Sequence, residues 1–262
     1  MLKIKSFKLF LEALGARIGK TNFTNRGNES ILPQIELYKV SNNIYCVVIV
    51  DPRLRTHLFM RYAEFYETPN EDFRNKKFSI DEYIKWYKKE RDSELFSYQF
   101  DWAGFNIPST SIKRCIDQIE DPNDYDIVMK NIFDTTLSNN NGRDFYLLGA
   151  DSIKLDDETF RHEISHGLYT TNKTYRTKMD RLTKNLPERI YKQLKAAILD
   201  MGYVDGVVDD EIQAYMSTGL GYMSKIYGIS KWIHFYQNAL SEHFRINAKL
   251  IKLDIKQLTS KL

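Results

Sequence analysis

The chain has 262 residues, of which 42% are hydrophobic, 28% charged and 13% aromatic, with a formal net charge of +3. Such a composition supports a buried core and excludes a disordered polyelectrolyte. Acids and bases are interleaved, as in Lys88, Lys89, Glu90, Arg91 and Asp92, which argues for a solvated helix face and against a nucleic-acid surface.

Residues 1–14 carry early positive charge but no uninterrupted apolar stretch, so they read as an amphipathic helix and not as a secretory signal. No run approaches the roughly 18 apolar residues of a membrane span, so no membrane partner is expected. Cys46 and Cys115 lack CxxC spacing, and Cys46 lies in an apolar run. Cys46 suits a buried thiol, and without a structural disulfide the chain suits a reducing compartment. The expectation is a soluble, cytoplasmic protein, with export that needs no N-terminal signal left open.

A polar loop over 22–28 precedes residues 31–51, which have strand character with a turn at Ser41, Asn42 and Asn43. The run Ile44 to Val50 is continuous and largely β-branched, as a buried strand would be. Residues 55–66 are ambiguous; their aromatic content and the nearby turn favour a strand. Ser79, followed three residues later by Glu82, predicts a helix with a capping box. Residues 101–108 form an aromatic loop. Helices are expected from Ser109 or Thr110 to 119 and over 123–136.

Residues 138–142, four polar turn-formers and a glycine, make the strongest break, and 144–150 reads as a short strand. Beyond 156 nearly everything reads as helix, including a long one over 230–253, with interruptions at 186–187 and 202–208. The expected class is α+β: a mixed α/β part over 1–140 and a mainly helical catalytic part over 141–262, or one continuous domain.

His162, Glu163, Ile164, Ser165 and His166 spell HExxH. On a helix over 156–171, His162 and His166 stand one turn apart on one face, where both imidazoles can share a metal ion. Glu163 lies beside them as the general base. Zinc lowers the pKa of a water towards about 7, and a neighbouring carboxylate can then accept its proton. Gly167 costs helix propensity directly after the histidines, which points to a close approach of other atoms to the backbone. A catalytic zinc needs a third protein ligand. The metzincin extension would require Gly at 169 and His at 172; the chain has Tyr169 and Asn172. Downstream, Asp209, Asp210 and Glu211 open another helix, with Asp209 as its expected N-cap and the small Ala214 one turn after Glu211.

With these residues the chain resembles the gluzincin-type metallopeptidases, in which a glutamate on a later helix completes an HExxH site. The resemblance covers about 144–220, and residues 1–140 resemble no such family. It implies a Zn2+-dependent metallopeptidase acting on a peptide or protein substrate, with His162, His166 and Glu211 as metal ligands and Glu163 as base. Thermolysin-like members carry an aspartate four residues after the ligand glutamate, where this chain has Tyr215. The carboxylate that orients a ligand histidine must then come from elsewhere, Asp209 or Asp210. Tyr215 and Tyr222 are candidate donors to a developing oxyanion, although this chain has 17 tyrosines and most tyrosines are core residues. His57, His234 and His243 are isolated; His234 or His243 would be an unexpected third ligand. The alternatives are a zinc hydrolase of a non-peptide amide or ester, and an interaction or toxin-like module with a fortuitous HExxH.

Overall fold

The segment Ile44–Val48 is apolar on both sides, and all five residues are buried. It is strand β2, and a strand covered on both faces needs a layer packed on each. Strand β1, Glu36–Ser41, precedes it in an antiparallel hairpin that turns at Asn43, a residue with φ of 60°. The computed structural model describes residues 35–102, 104–153, 157–201, 203–228, 233–248 and 253–254; of residues 222, 225, 253 and 254 it describes the backbone alone. The predicted helix over 1–14 lies outside these residues.

The remaining elements follow in order. They are α1 (Pro52–Glu67), α2 (Ile80–Glu90), α3 (Tyr98–Asp101), β3 (Phe105–Pro108), α4 (Ser109–Ile116), α5 (Asp124–Asn139) and β4 (Tyr146–Ala150). Next come α6 (Glu158–Thr171), α7 (Lys173–Lys184), α8 (Glu188–Asp200), α9 (Val208–Thr218), α10 (Gly221–Tyr227), α11 (His234–Asn247) and β5 (Leu253–Asp254). The fold is α+β. One mixed sheet has the order β3-β4-β2-β1-β5. β4 runs parallel to β2, with Cys46 opposite Leu148, and antiparallel to β3, with Asn106 opposite Leu148. Strands from both sides of residue 140 thus share one sheet.

Alternation along the strands sorts the core into two layers. Tyr45, Val47 and Leu147 join a cluster with Leu58, Phe59, Tyr62, Tyr83, Ile112 and Ile132, from α1, α2, α4 and α5. Ile44, Cys46, Val48, Tyr146 and Leu148 face the other way, onto Phe160, Ile164, Leu168, Met179, Ile198 and Ile212. Helices therefore cover both faces, and α6 lies on the second. Both cysteines are free and buried, Cys46 as expected from its apolar run. Among the described residues, no helix is long and apolar enough to cross a membrane.

Several local expectations hold. Ser79 Oγ accepts from the Glu82 amide at 3.2 Å, while the Glu82 carboxylate accepts from the Ser79 amide at 2.8 Å, closing the capping box of α2. Three differ. Residues 55–66 are helical, not a strand: Asp51 caps the Arg53 and Leu54 amides, Pro52 opens the helix, and Leu54, Leu58 and Tyr62 recur every fourth residue into the core. That capping and period outweigh the aromatic content that suggested a strand. The segment 101–108 ends in a strand, β3, where alternating Phe105 and Ile107 are buried. The predicted 230–253 helix is described as His234–Asn247, and Leu253 instead pairs with Lys39 at the sheet edge.

Gly167 sets how closely α6 approaches the sheet. A Cβ there would stand 2.9 Å from Ile44 Cδ1 and 3.2 Å from Tyr146 Cδ1, two fully buried side chains. Gly167→Val should therefore overpack this contact and cost about 1–3 kcal/mol. Urea denaturation checks it, and an unchanged midpoint would show that the helix can lift without penalty.

Candidate metal centre

Helix α6 begins at Asp157, whose side chain accepts from the Thr159 amide at 2.7 Å and the Phe160 amide at 3.2 Å. Phe160, Ile164 and Leu168 turn into the sheet-facing core, which leaves His162 and His166 on a shared side facing α9. The ends of α6 and α9 are tied together. The Glu158 carboxylate accepts from the Gly221 amide at 3.1 Å, and Arg161 donates to the Thr218 carbonyl at 3.2 Å. Gly219, with φ of 148°, sits against that carboxylate; a Cβ would fall 2.3 Å from Glu158 Oε1. Only glycine combines that backbone angle with that contact.

This clamp brings three predicted residues together. Candidate ligand atoms of His162, His166 and Glu211 all lie within 4.8 Å of one another. The two Nε2 atoms are 3.0 Å apart; Glu211 Oε2 is 3.4 Å from His162 Nε2, and Oε1 is 3.7 Å from His166 Nε2. Ligands about 2.1 Å from a tetrahedral zinc stand roughly 3.4 Å from one another, so the spacing and the two-nitrogen, one-carboxylate donor set fit that ion.

Of the neighbouring acids, Asp210 Oδ1 lies 2.9 Å from His166 Nδ1. It accepts the hydrogen bond from Nδ1 and so turns Nε2 towards Glu211 and His162. The same Asp210 oxygen accepts from Gln213 Nε2 at 2.8 Å. Asp209 plays neither expected part. Helix α9 starts at Val208 with no side-chain cap, and the exposed Asp209 accepts from the Tyr191 hydroxyl at 2.8 Å. It sits inside the first turn, too late to cap the amides that an N-cap serves.

Glu163 points towards β3, where its Oε2 accepts from Asn106 Nδ2; the Asn106 carbonyl in turn accepts from the Tyr146 hydroxyl. Tyr215 packs its ring against His162, with centroids 4.4 Å apart. Tyr222 is on α10, but its side chain lies outside the described residues. His234 bonds Gln237 at the surface, and His243 stacks on Tyr175; neither belongs to the cluster. His57 stacks on Tyr125 on the other side of the sheet.

Asn106, Gln213, Tyr203 and Glu67 were not anticipated. Burial, then the charges of Glu211, Tyr215, Glu163 and Glu67, raises the Tyr203 hydroxyl, so it borders this site. Glu67, the last residue of α1, is reached by solvent yet enclosed enough that burial, followed by Glu163, Glu211 and Glu64, lifts its carboxyl to about 8. Burial pulls His166 downward, but Asp210, Glu211 and Glu163 outweigh it and hold the imidazole up at about 10. The only sequence cue to Asn106 is a polar residue flanked by the buried Phe105 and Ile107.

No family model, no curated protein and no solved structure matches this chain.

These shifts fix how the metal-free protein responds to pH. His166 binds its proton more tightly folded than unfolded, so its contribution to stability is complete below about pH 6.5 and is lost as pH rises through about 10. The raised Glu67 has the same sign over a lower window, from 4.5 to about 8. From about pH 8 to 9.5 His166 should contribute to the fall in melting temperature, together with the buried Cys46 and Cys115 thiols that burial also holds protonated. Chelator-treated protein should show that fall, and His166→Gln should make it shallower; a variant that keeps the wild-type slope would contradict the assignment.

Proposed function

We propose that this protein is a zinc-dependent hydrolase of peptide bonds, with His162, His166 and Glu211 as ligands and Glu163 as general base. The observation that carries this reading is the convergence of three donors from α6 and α9, with Asp210 behind His166. The excess of carboxylates supports it: Glu67, Glu163, Asp210 and Glu211 surround two imidazoles, a balance that a divalent cation neutralises. When bound, zinc supplies Lewis acidity that activates water and polarises a carbonyl at neutral pH.

The chain's own groups do the rest. Asn106 anchors one oxygen of Glu163 and leaves the other to accept the proton from water and deliver it to the departing nitrogen. Tyr215, held against His162, is the candidate donor to the developing oxyanion. A peptide is favoured over a small ester because β3, which carries Asn106, is an edge strand of the sheet. An edge strand beside the base is the kind of element that can pair with an extended backbone.

Zinc loading followed by metal analysis is the first test. The wild-type protein should take up one zinc ion, His162→Ala and His166→Ala should lose it, and Glu211→Ala should bind it far more weakly. Wild-type protein that stays metal-free after loading at neutral pH would overturn the reading. Glu163→Gln separates base from ligand: it should keep zinc while hydrolysing peptides roughly 10²–10⁴-fold more slowly. Loss of zinc in that variant would make Glu163 a ligand instead, and turnover of esters without peptides would change the substrate class.

A further inference from the structure

Behind His166 lies a buried polar network that the hydrolytic reading does not use. Gln213 is fully buried on α9, one turn after Asp210. Its Oε1 lies 2.9 Å from Ser165 Oγ and 3.1 Å from the Tyr175 hydroxyl, and its Nε2 donates to Asp210 at 2.8 Å. Ser165 and Tyr175 are fully buried too, 3.0 Å apart, and Ser217 Oγ stands 3.2 Å from Ser165. The packing of the Tyr175 ring on His243 holds the far end, with centroids 5.1 Å apart.

The amide can be placed only one way round. A carboxylate has no proton to give, so the amide NH2 must face Asp210 and the amide oxygen must face the hydroxyls. A reversed amide would set oxygen against Asp210 Oδ1, two acceptors with no proton between them. Buried polar groups left in that way are costly, and fully satisfied networks are rigid. Ser165 lies inside the motif, directly before His166. The network thus closes a loop that leaves α6 at Ser165, crosses to α9 through Gln213 and Asp210, and returns to α6 at His166.

We infer that Gln213 is a positioning residue for the metal site: its amide holds the Asp210 carboxylate against Nδ1 of His166 and so aims Nε2 at the Glu211 carboxylate. This rests on the metal-site reading above. Partners one step removed from a ligand commonly change metal affinity by 10–100-fold, which is the scale expected here.

A double-mutant cycle on zinc affinity, read by competition with a chromophoric chelator, tests it. Gln213→Met keeps the length and loses the donor. It should weaken zinc binding by about 10–100-fold on its own, and by almost nothing when Asp210→Ala is already present. A purely structural residue would lower the melting temperature, and its effect on affinity would be the same in both backgrounds. Equal losses in the two backgrounds, or unchanged affinity in Gln213→Met, overturn the inference and leave the metal site standing. A wild-type protein without zinc removes both. Should Gln213→Met fail to fold, Ser165→Ala takes a donor from the same amide. A weaker, Asp210-dependent loss of affinity supports the inference, and unchanged affinity overturns it.

Discussion

Consecutive acids on α9 meet the two nitrogens of one imidazole. Asp210 reaches Nδ1 of His166 at 2.9 Å, and Glu211 lies 3.7 Å from Nε2. Successive helical residues diverge by about 100°, so only a ring inserted edge-on against the first turn of α9 can touch both. Most of the surrounding structure serves that insertion. Gly167 lets α6 settle against Ile44 and Tyr146, the Glu158 and Arg161 contacts fix α6 along α9, and Gly219 accepts the backbone angle that the clamp requires. With α9 displaced by a few ångströms, neither acid would reach the ring.

The same insertion explains the electrostatics. Taking an imidazole out of water favours its neutral form, yet His166 is held protonated to about 10 because three carboxylates surround it. Glu67 shows the converse: crowded by Glu163, Glu211 and Glu64, it keeps its proton to about 8. A divalent cation would lower the cost of holding this many carboxylates close together. Two charges delivered at Nε2 would replace the proton that His166 otherwise retains and lower the cost of ionising Glu67.

What was legible in the sequence follows the range of the interactions involved. The histidine pair is a local pattern, set by helix period, and needs no tertiary knowledge. Glu211 could be reached because a catalytic zinc would need a third protein ligand and an acidic helix start stands at a workable distance. The helix over Pro52–Glu67 carried a local signal as well, the Asp51 and Pro52 opening, which the aromatic content of the segment obscured. Asp209 was misread for the reverse reason: it has the chemistry of an N-cap, but α9 starts at Val208, before it. Asn106 and Gln213 had no local signal. Asn106 reaches Glu163 across 57 positions and Ser165 reaches Gln213 across 48, distances over which pattern carries no information.

The tyrosine at 215, where the resemblance to thermolysin-like peptidases would place an aspartate, also has a geometric account. An aspartate four residues after the ligand glutamate lies on the same helix face, one turn on. In this chain that position faces His162, whose ring lies 4.4 Å from that of Tyr215. A carboxylate there would stand beside a second imidazole in a site already crowded with acids. The orienting carboxylate stands one residue before Glu211 instead, on the side where His166 presents Nδ1, and Gln213 lies one turn along to hold it. The two histidines are thus supported differently, His162 by an aromatic face and His166 by a charged hydrogen bond. An aromatic face restrains ring tilt but leaves the tautomer free, whereas a carboxylate at Nδ1 fixes both tautomer and direction. Of the two imidazoles, His166 is therefore the one whose direction is fixed by a neighbouring charge, and His162 is the one whose tautomer stays free.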